Sequence, residues 1–414
     1  MKFYNLIIVF LSILIMTSLN CTKDKNALIN PININPPYVL QKKTIESFEF
    51  IDIKRTKDGQ YIAISGISVG EYGLLTKFDE QFNILWSKNF PELLPANYLF
   101  SSLALCADGG YIYVSPIESA KIICIKTDIN GEVEWHKEFD TPGAKVGQVK
   151  QTSDNGYLIL GTITGKVCYT QIDPDYCFDC DLNYLIKLDS NGDTLWTKTL
   201  YDESSTQPRD LFGVAFVETA DGFYIHSRSY EGELHLFKTD LNGNFVWSNG
   251  VVGGTHCLLL LHPETGIIIG TNRQYLETMN EVRLCYVDFD GNLIWQAEPF
   301  PQGEANSALF NSQNELVMLA TFLNCQTVLF CFPDTYQIWL RLYNSSGELS
   351  SEWIYEDYKK TRGRRIFMNE AGNYIIIGEV GHIYSSYYFK SEGLIFLEVQ
   401  SDCFDSTGTE NSGY

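Results

Sequence analysis

The sequence is short of positive charge: 30 lysine and arginine residues stand against 51 aspartate and glutamate residues, and the formal net charge is −21. A protein that binds nucleic acid needs a basic surface against the phosphates, so partners of that class are excluded. The chain also has no polybasic stretch that would hold an anionic lipid surface. Any attachment to a membrane therefore has to come from another feature.

Motifs for catalysis and metal binding are also missing. The six histidines have no paired spacing typical of a zinc enzyme, and we find neither a nucleophile elbow nor a phosphate loop. The turns that begin at Asp128, Asp189 and Asp240 superficially look like calcium loops. They lack the distal bidentate glutamate, which favours a simple turn. We expect no catalytic residues, no metal and no cofactor.

One long apolar run stands at the N-terminus, from Phe3 to Met16, between Lys2 and Cys21. A spanning helix needs about 20 apolar residues, so this shorter run is typical of a secretion signal. The segment resembles a bacterial lipoprotein signal, which implies that Cys21 is lipidated and becomes the mature N-terminus. Plain secretion and an uncleaved anchor are the alternatives. The implied boundaries are a signal peptide at 1–20 and a flexible tether at 21–37.

A repeat organises the rest of the chain. Five times an aspartate is followed by a tryptophan at the same spacing, and an expanded sixth copy pairs Asn344 with Trp353. A period near 50 residues, made of short strands and Gly turns, predicts a β-propeller of four-stranded blades. We expect the repeated tryptophans to lock the blades together: Trp86, Trp135, Trp196, Trp247, Trp295 and Trp353.

The count of strands predicts how the ring closes. Seven first-strand turns occur, but only six fourth strands carry the tryptophan, because the last repeat degenerates into a polar tail at 401–414. Residues 38–45 precede the first repeat and have the length of the missing strand. The sequence therefore predicts an all-β, seven-bladed propeller over residues 38–400, closed by an N-terminal strand that completes the last blade.

The repeat of aspartate, turn glycine and tryptophan resembles secreted and lipoprotein propellers of the quinoprotein-like group. That group includes the outer-membrane lipoprotein that scaffolds barrel assembly. The resemblance implies a fold and a place in the bacterial cell envelope, with a lipid anchor in the outer membrane; the periplasmic or surface side stays open. Nothing in the sequence matches the cofactor site of quinoprotein dehydrogenases.

Insertions in the repeat predict where a partner binds. Both recurrent Gly turns belong to one face of a propeller, so insertions at 161–182, 272–281, 323–336 and 381–393 must project from the other face. Aromatic rings suit contacts with protein or sugar. The candidate contact residues are Tyr169, Tyr176, Phe178, Tyr384, Tyr387 and Tyr388. Alternatively, these rings only pack the insertions onto the propeller.

The cysteines fall into two sets. Those in strand patterns are expected to be buried small apolar residues: Cys106, Cys124, Cys257 and Cys285. In an oxidising envelope the others are expected to form disulfides that cross-link the insertions, Cys325 with Cys331 and Cys168 with either Cys177 or Cys180. The spacing of Cys177 and Cys180 is also a redox or zinc signature, but no second such pair is present.

Two hypotheses of function follow. The preferred one is a non-catalytic envelope lipoprotein, a monomeric propeller whose insertion face binds an envelope protein or a polysaccharide. The alternative is a secreted glycan-active lyase or hydrolase with its site at the mouth of the channel. An enzyme should show acid, base and cationic groups that converge on one pocket, whereas a binding protein should show an open aromatic patch.

Overall fold

A computed structural model describes residues 32–33, 39–46, 50–65, 73–90, 101–118, 121–141, 145–168, 177–201, 210–229, 234–251, 257–262, 264–275, 279–301, 303–325, 333–355, 360–385 and 388–401. Every regular element in these ranges is a β-strand. No helix that could span a membrane occurs within them.

The strands form seven sheets, the blades of a ring. Blade 1 contains Phe50–Arg55, Tyr61–Ser65, Gly73–Phe78 and Ile84–Phe90, and blade 2 contains Ser102–Leu105, Tyr111–Glu118, Lys121–Thr127 and Val133–Asp140. Blade 3 contains Lys145–Gln151, Tyr157–Cys168, Cys177–Leu188 and Thr194–Leu200, and blade 4 contains Leu211–Thr219, Gly222–Ser229, Leu234–Thr239 and Phe245–Val251. Blade 5 contains Cys257–Leu261, Gly266–Tyr275, Met279–Asp288 and Leu293–Gln296, with Phe300–Pro301 beside its third strand. Blade 6 contains Gly303–Phe310, Leu316–Cys325, Pro333–Tyr343 and Leu349–Tyr355.

Blade 7 takes its fourth strand from the other end of the chain. Its own strands are Lys360–Met368, Tyr374–Ser385 and Tyr388–Val399, and Val39–Glu46 pairs antiparallel with the last of them. The predicted closure by an N-terminal strand is thus confirmed, as is the seven-bladed all-β fold. A further short strand, Ile32–Asn33, pairs in parallel with the outer strand of blade 6.

Burial follows the position of each strand within its blade. The second strand of blade 1, Tyr61–Ser65, is buried at all five residues because blades cover both of its faces. Fourth strands lie at the outer edge and alternate between exposed and half-buried residues, as in Thr194–Leu200. Seven large apolar clusters result, one at each seam between neighbouring blades.

The repeated tryptophans join each blade to the next one. Trp196 of blade 3 packs against Gly243, which lies in the turn between the third and fourth strands of blade 4 and has φ +74°. A Cβ at Gly243 would lie 2.6 Å from the Trp196 ring. Four other tryptophans contact the equivalent glycine of the following blade: Trp86 with Gly131, Trp135 with Gly192, Trp247 with Gly291, and Trp295 with Gly347. Trp353 is buried in the seam between blades 6 and 7.

Repeated polar contacts account for the aspartates of both turns. Asp128 begins the turn between the third and fourth strands of blade 2, and its Oδ1 accepts the backbone N–H groups of Asn130 and Glu132, each at 2.8 Å. At the other turn, the carboxylate of Asp154 meets the buried ammonium of Lys187 at 2.8 Å. Equivalent lysine–aspartate pairs occur in blades 1, 2 and 4: Lys77 with Asp58, Lys126 with Asp108, and Lys238 with Asp221.

Candidate functional site

In the parts that the structure describes, the four insertions extend the hairpins of their blades as paired strands, where the sequence suggested irregular loops. In blade 3, Tyr157–Cys168 and Cys177–Leu188 pair along all twelve residues of each strand. The first strand of the blade pairs only up to Thr162 and the fourth only from Asn183. Residues 163–168 and 177–182 therefore project beyond the four-stranded sheet as a two-stranded arm, about 20 Å long at 3.3 Å per residue.

Similar arms occur in blades 6 and 7. Beyond the four-stranded part of blade 6, residues 323–336 contain strand residues that pair only with each other, and residues 382–390 of blade 7 do the same. The extension of blade 5 at 272–282 also pairs with Phe300–Pro301. We call the insertions at 163–182, 323–336 and 382–390 the three arms, and the side of the ring that carries them the arm face. The structure describes residues 163–168, 177–182, 323–325, 333–336, 382–385 and 388–390 of these arms. The opposite side, with the Gly turns, is the turn face.

All six predicted contact residues belong to the arms of blades 3 and 7. Tyr169, Tyr176 and Tyr387 lie outside the described residues. The others lie in strands: Phe178 opposite Val167, Tyr388 opposite Ser385, and Tyr384 at an irregularity in the same hairpin. Whether these rings face a ligand or the propeller stays a prediction.

Polar contacts fix the base of the blade 3 arm. Asp181 accepts a hydrogen bond from Thr164 on the opposite strand at 2.9 Å and pairs with Lys145 of the first strand at 3.1 Å. Its backbone N–H donates to Asp210 of blade 4 at 2.8 Å. The arm is thus tied both to its own blade and to the next one.

The cysteines of the same arm are placed by the strand register. Cys168 lies directly opposite Cys177, whereas Cys180 lies opposite Gly165 and carries a buried free thiol. Burial raises the pKa of that thiol, with the neighbouring Asp210 acting in the same direction. Cys325 lies opposite Pro333, and Cys331 and Cys21 lie outside the described residues. Burial as free thiols is confirmed for Cys106, Cys124 and Cys285.

A charged cluster that the sequence did not single out lies where blade 7 meets blade 1. The carboxylate of Asp52 contacts Lys54 and Arg365, each at 2.9 Å, and also accepts the N–H of Ile53 at 2.9 Å. It reaches towards blade 2 as well, since the N–H of Leu103 points at it from 3.4 Å. One side chain thereby links the last, the first and the second blades.

The pKa values within this cluster follow from burial and charge. Burial alone would raise the pKa of Asp52, but the charges of Lys54 and Arg365 outweigh it and hold the pKa below its usual value. The pKa of Lys54 is lowered by burial and by Arg365, against the opposing effect of Asp52. Asp52 therefore stays ionised at neutral pH and is fully engaged by its neighbours.

A second lysine with a lowered pKa, besides Lys54, lies near the channel: Lys150, on the first strand of blade 3. Its ammonium donates to the carbonyl of Phe216 at 2.6 Å and lies 5.2 Å from the centre of the Phe216 ring. Burial, together with the charge of Lys54, lowers its pKa to about 8. The sequence carries a signal for both lysines. Each stands four residues before the aspartate of the first turn in its blade. The blade that follows has an apolar residue at the same position, Ala104 in blade 2 and Val217 in blade 4.

Comparison with known proteins shows the fold alone. No protein-family model matches the sequence, and a search of the curated proteins finds no match. Among solved structures, the chain is similar to a protein from Lactobacillus plantarum, with a TM-score of 0.50, 11% identity, and coverage of 86% of this chain and 100% of that one. The periplasmic gluconolactonase of Pseudomonas aeruginosa gives 0.48 at 13% identity, covering 83% and 97%. The WD40 domain of SCAP from fission yeast gives 0.44 at 8% identity, covering 88% and 99%.

Proposed function

We propose that this protein is a non-catalytic lipoprotein of the bacterial cell envelope, in which the propeller is a scaffold and the arm face binds a protein or a polysaccharide. The observation that carries this proposal is the set of three arms on one face. A two-stranded hairpin is marginally stable alone in water, so three of them on one face cost stability that a binding role explains. The turn face has short, repeated hairpins and offers little to distinguish one partner from another.

Aromatic residues in the arms also support the arm face as the binding surface. Six tyrosine and phenylalanine residues of the arms in blades 3 and 7 are the candidates, and rings of this kind give a large contact area at low entropic cost. Strand pairing in the arm of blade 7 places Tyr388 in a defined backbone position. A rigid backbone lowers the entropy that binding has to overcome.

The test is affinity capture from an envelope extract with the purified protein as bait, analysed for both proteins and sugars. Replacing Tyr387 and Tyr388 by alanine should weaken capture of the recovered partner, since truncation of an aromatic anchor commonly costs about 2 kcal/mol or more. Asn130→Ala combined with Asn191→Ala on the turn face is the control and should leave capture unchanged. The reverse pattern would contradict the proposal. Protease treatment of the captured material separates a protein partner from a polysaccharide.

Membrane attachment is the second part of the proposal. Lipid on Cys21 would hold the protein in the outer membrane, because its acyl chains partition into the leaflet. Metabolic labelling with a fatty-acid analogue should tag the wild-type protein but not Cys21→Ser. Equal labelling of the two would rule out Cys21 as the lipidated residue.

The charged cluster at Asp52 does not favour the enzymatic alternative. A general acid or base has to reach the substrate with a free lone pair or proton. Asp52 instead accepts from two cations and two backbone N–H groups, and its side chain is only 7% exposed. These contacts suit a structural link between blades, and the binding function remains the one that we propose.

A further inference from the structure

A β-bulge recurs where each outer strand begins. In blade 3, Leu188 pairs with Thr194 and Lys187 pairs with Trp196, so Leu195 is left out of the register. The same irregularity occurs at the second residue of the other outer strands, including the closing strand Val39–Glu46. A bulge re-aims the side chain that it carries. In five blades that residue is a large aliphatic one, 49–58% exposed: Leu40, Leu85, Leu195, Val246 and Ile294.

Exposed apolar side chains are confined to this level of the ring. Among the residues that the structure describes, every exposed large apolar side chain lies in the first two positions of an outer strand or in the turn before it. Besides the five bulge residues, these are Ile84, Ile129, Val133, Leu241, Phe245 and Leu293. Further along the same strands, towards the arm face, the exposed residues are polar, as at Asn89, Glu138 and Thr199. We call the eleven apolar residues the apolar rim.

The apolar rim surrounds the turn face and therefore fits a flat partner. Six of the seven blades contribute to it, and blade 6 is the exception. Isolated exposed apolar residues need no explanation, but their confinement to one level of the ring indicates a contact surface. A globular protein would touch one side of such a ring, whereas a bilayer reaches all of its blades at once. Proteins bind a bilayer surface more strongly as more apolar area enters the interface.

The N-terminal chain enters the ring from the same side. Ile32 and Asn33 pair in parallel with Trp353 and Ile354 of the outer strand of blade 6. Because that strand runs from the turn face to the arm face, the chain reaches Ile32 from the turn-face side. Cys21 is eleven positions earlier, a length of chain that spans at most about 40 Å. An anchor at Cys21 would therefore hold the turn face near the membrane and leave the arms pointing away from it.

We propose that the apolar rim docks on a lipid bilayer rich in phosphatidylethanolamine, with the turn face towards the membrane. This inference rests on the proposed attachment to a membrane. Charge selects the headgroup, because in five blades the residue just before the outer strand donates its N–H to a turn aspartate: Asp79, Asp128, Asp189, Asp240 and Asp288. Carboxylates at this edge attract the ammonium of an ethanolamine headgroup and repel the anionic phosphatidylglycerol.

The orientation is tested with the full chain bound to vesicles of phosphatidylethanolamine and phosphatidylcholine. A nitroxide is attached to Leu195→Cys in the rim or to Thr199→Cys, which is exposed on the same strand about 13 Å closer to the arm face. The label that wild-type protein takes up gives the background. We expect oxygen dissolved in the lipid to relax mainly the first label, and a water-soluble nickel complex mainly the second. Equal exposure of both labels to the nickel complex would contradict the orientation.

The contribution of the rim to binding is tested by co-flotation with the same vesicles. Combining Leu85→Thr, Leu195→Thr and Ile294→Thr removes three rim side chains but keeps residues suited to strands. We expect a partition coefficient at least tenfold lower, with an unchanged melting temperature. Asn89→Thr with Thr199→Ser, at the arm ends of two of these strands, is the control and should partition like wild type. Equal partition of the rim variant and wild type would overturn the proposal.

Lipid composition tests the role of charge. Replacing half of the phosphatidylethanolamine by phosphatidylglycerol should weaken the binding of wild-type protein, because the turn carboxylates face the headgroups. Stronger binding to the anionic vesicles would contradict this role.

A Cys21→Ser background separates the rim from the lipid anchor. The N-terminal segment is then the same in the rim variant, the control and their parent, so a difference in partition reports the rim. If labelling rules out Cys21 but the rim variant still loses binding, the anchor fails and the rim is supported. If Cys21 is labelled but the rim variant partitions like the control, the rim fails and the anchor is supported.

Discussion

At the scale of single residues, the contact between a tryptophan and a turn glycine holds the seams of the ring together at their outer edge. Each glycine adopts a positive φ, between +74° and +84°, which a residue with a Cβ adopts only with strain. The same missing Cβ makes room for the tryptophan of the preceding blade. Glycine is thus required twice at one position, by the turn and by the ring that covers it.

Gly243→Ala tests this double requirement. The methyl group would lie 2.6 Å from the Trp196 ring, and the left-handed backbone adds strain, so we expect a loss of at least about 2 kcal/mol in the free energy of unfolding. Gly250→Ala is the matched control, because no atom lies within 4 Å of a Cβ there. Urea denaturation of both variants measures the difference. Equal stability of the two would show that the tryptophan contact is dispensable.

Blade 1 lacks the turn glycine, and the reason supports the role of the tryptophan contact. The blade before it, blade 7, has the N-terminal strand Val39–Glu46 in place of a tryptophan-bearing fourth strand. The turn of blade 1 accordingly has Phe82 where other blades have glycine, with φ 60°. Its ring is buried and stacks on Phe396 of blade 7 at 4.1 Å. A ring supplied from the turn itself fills the space that tryptophan fills at five other seams.

At the scale of strands and hairpins, the regular parts were predictable and the arms were not. Turns such as Asp128 to Gly131 depend on hydrogen bonds within five residues, so their sequence carries the whole signal. The blade 3 arm contains Gly165, Pro174 and several aspartates, all of which are rare in strands. Its pairing depends on a register with the opposite strand and on anchors such as Lys145, which no local pattern reveals.

Register also narrows the choice of disulfide in this arm. Cys168 and Cys177 are directly opposite each other, and opposed residues of antiparallel strands have Cα atoms about 4.5–5.5 Å apart, within the range for a disulfide. Cys180 is three rows away from Cys168. We expect non-reducing peptide mapping to recover a peptide that links Cys168 to Cys177. A link between Cys168 and Cys180 would contradict the register.

The closing strand is the element on which the ring depends most. Deleting residues 39–46 should expose the edge of Tyr388–Val399 and uncover apolar side chains at two seams, because Val39 and Ile45 pack there. We expect a lower melting temperature or aggregation, measured by thermal denaturation and sedimentation.

The two faces of the same strand provide the control. Leu40 and Thr44 are exposed, so changing both to serine should have little effect, whereas Val39→Ser with Ile45→Ser should destabilise the protein. Unchanged stability of the deletion variant would mean that another segment closes blade 7.

At the scale of the whole molecule, the sequence predicts the scaffold better than the sites on it. Net charge and composition average over the whole chain, so they do not reveal that basic residues outnumber acidic ones on the first strands of the blades. Lys54 and Lys150 become informative only when the repeats are aligned on their turns and each blade is compared with its neighbours. Asp52 and Arg365 are 313 residues apart in the chain, so their contact follows from ring closure alone.

The central claim is that the arms bind the partner and the propeller carries them. Replacing residues 165–180 by Asn-Gly would join Thr164 to Asp181, which are opposite in the register, with a two-residue turn. The contacts of Asp181 with Lys145 and Asp210 at the base of the arm are kept. The direct measurement is the affinity of this variant for the partner that the wild-type protein captures, alongside its melting temperature. We expect a melting temperature within about 3 °C of wild type and affinity at least tenfold weaker; a folded variant that binds with unchanged affinity would contradict the role of this arm.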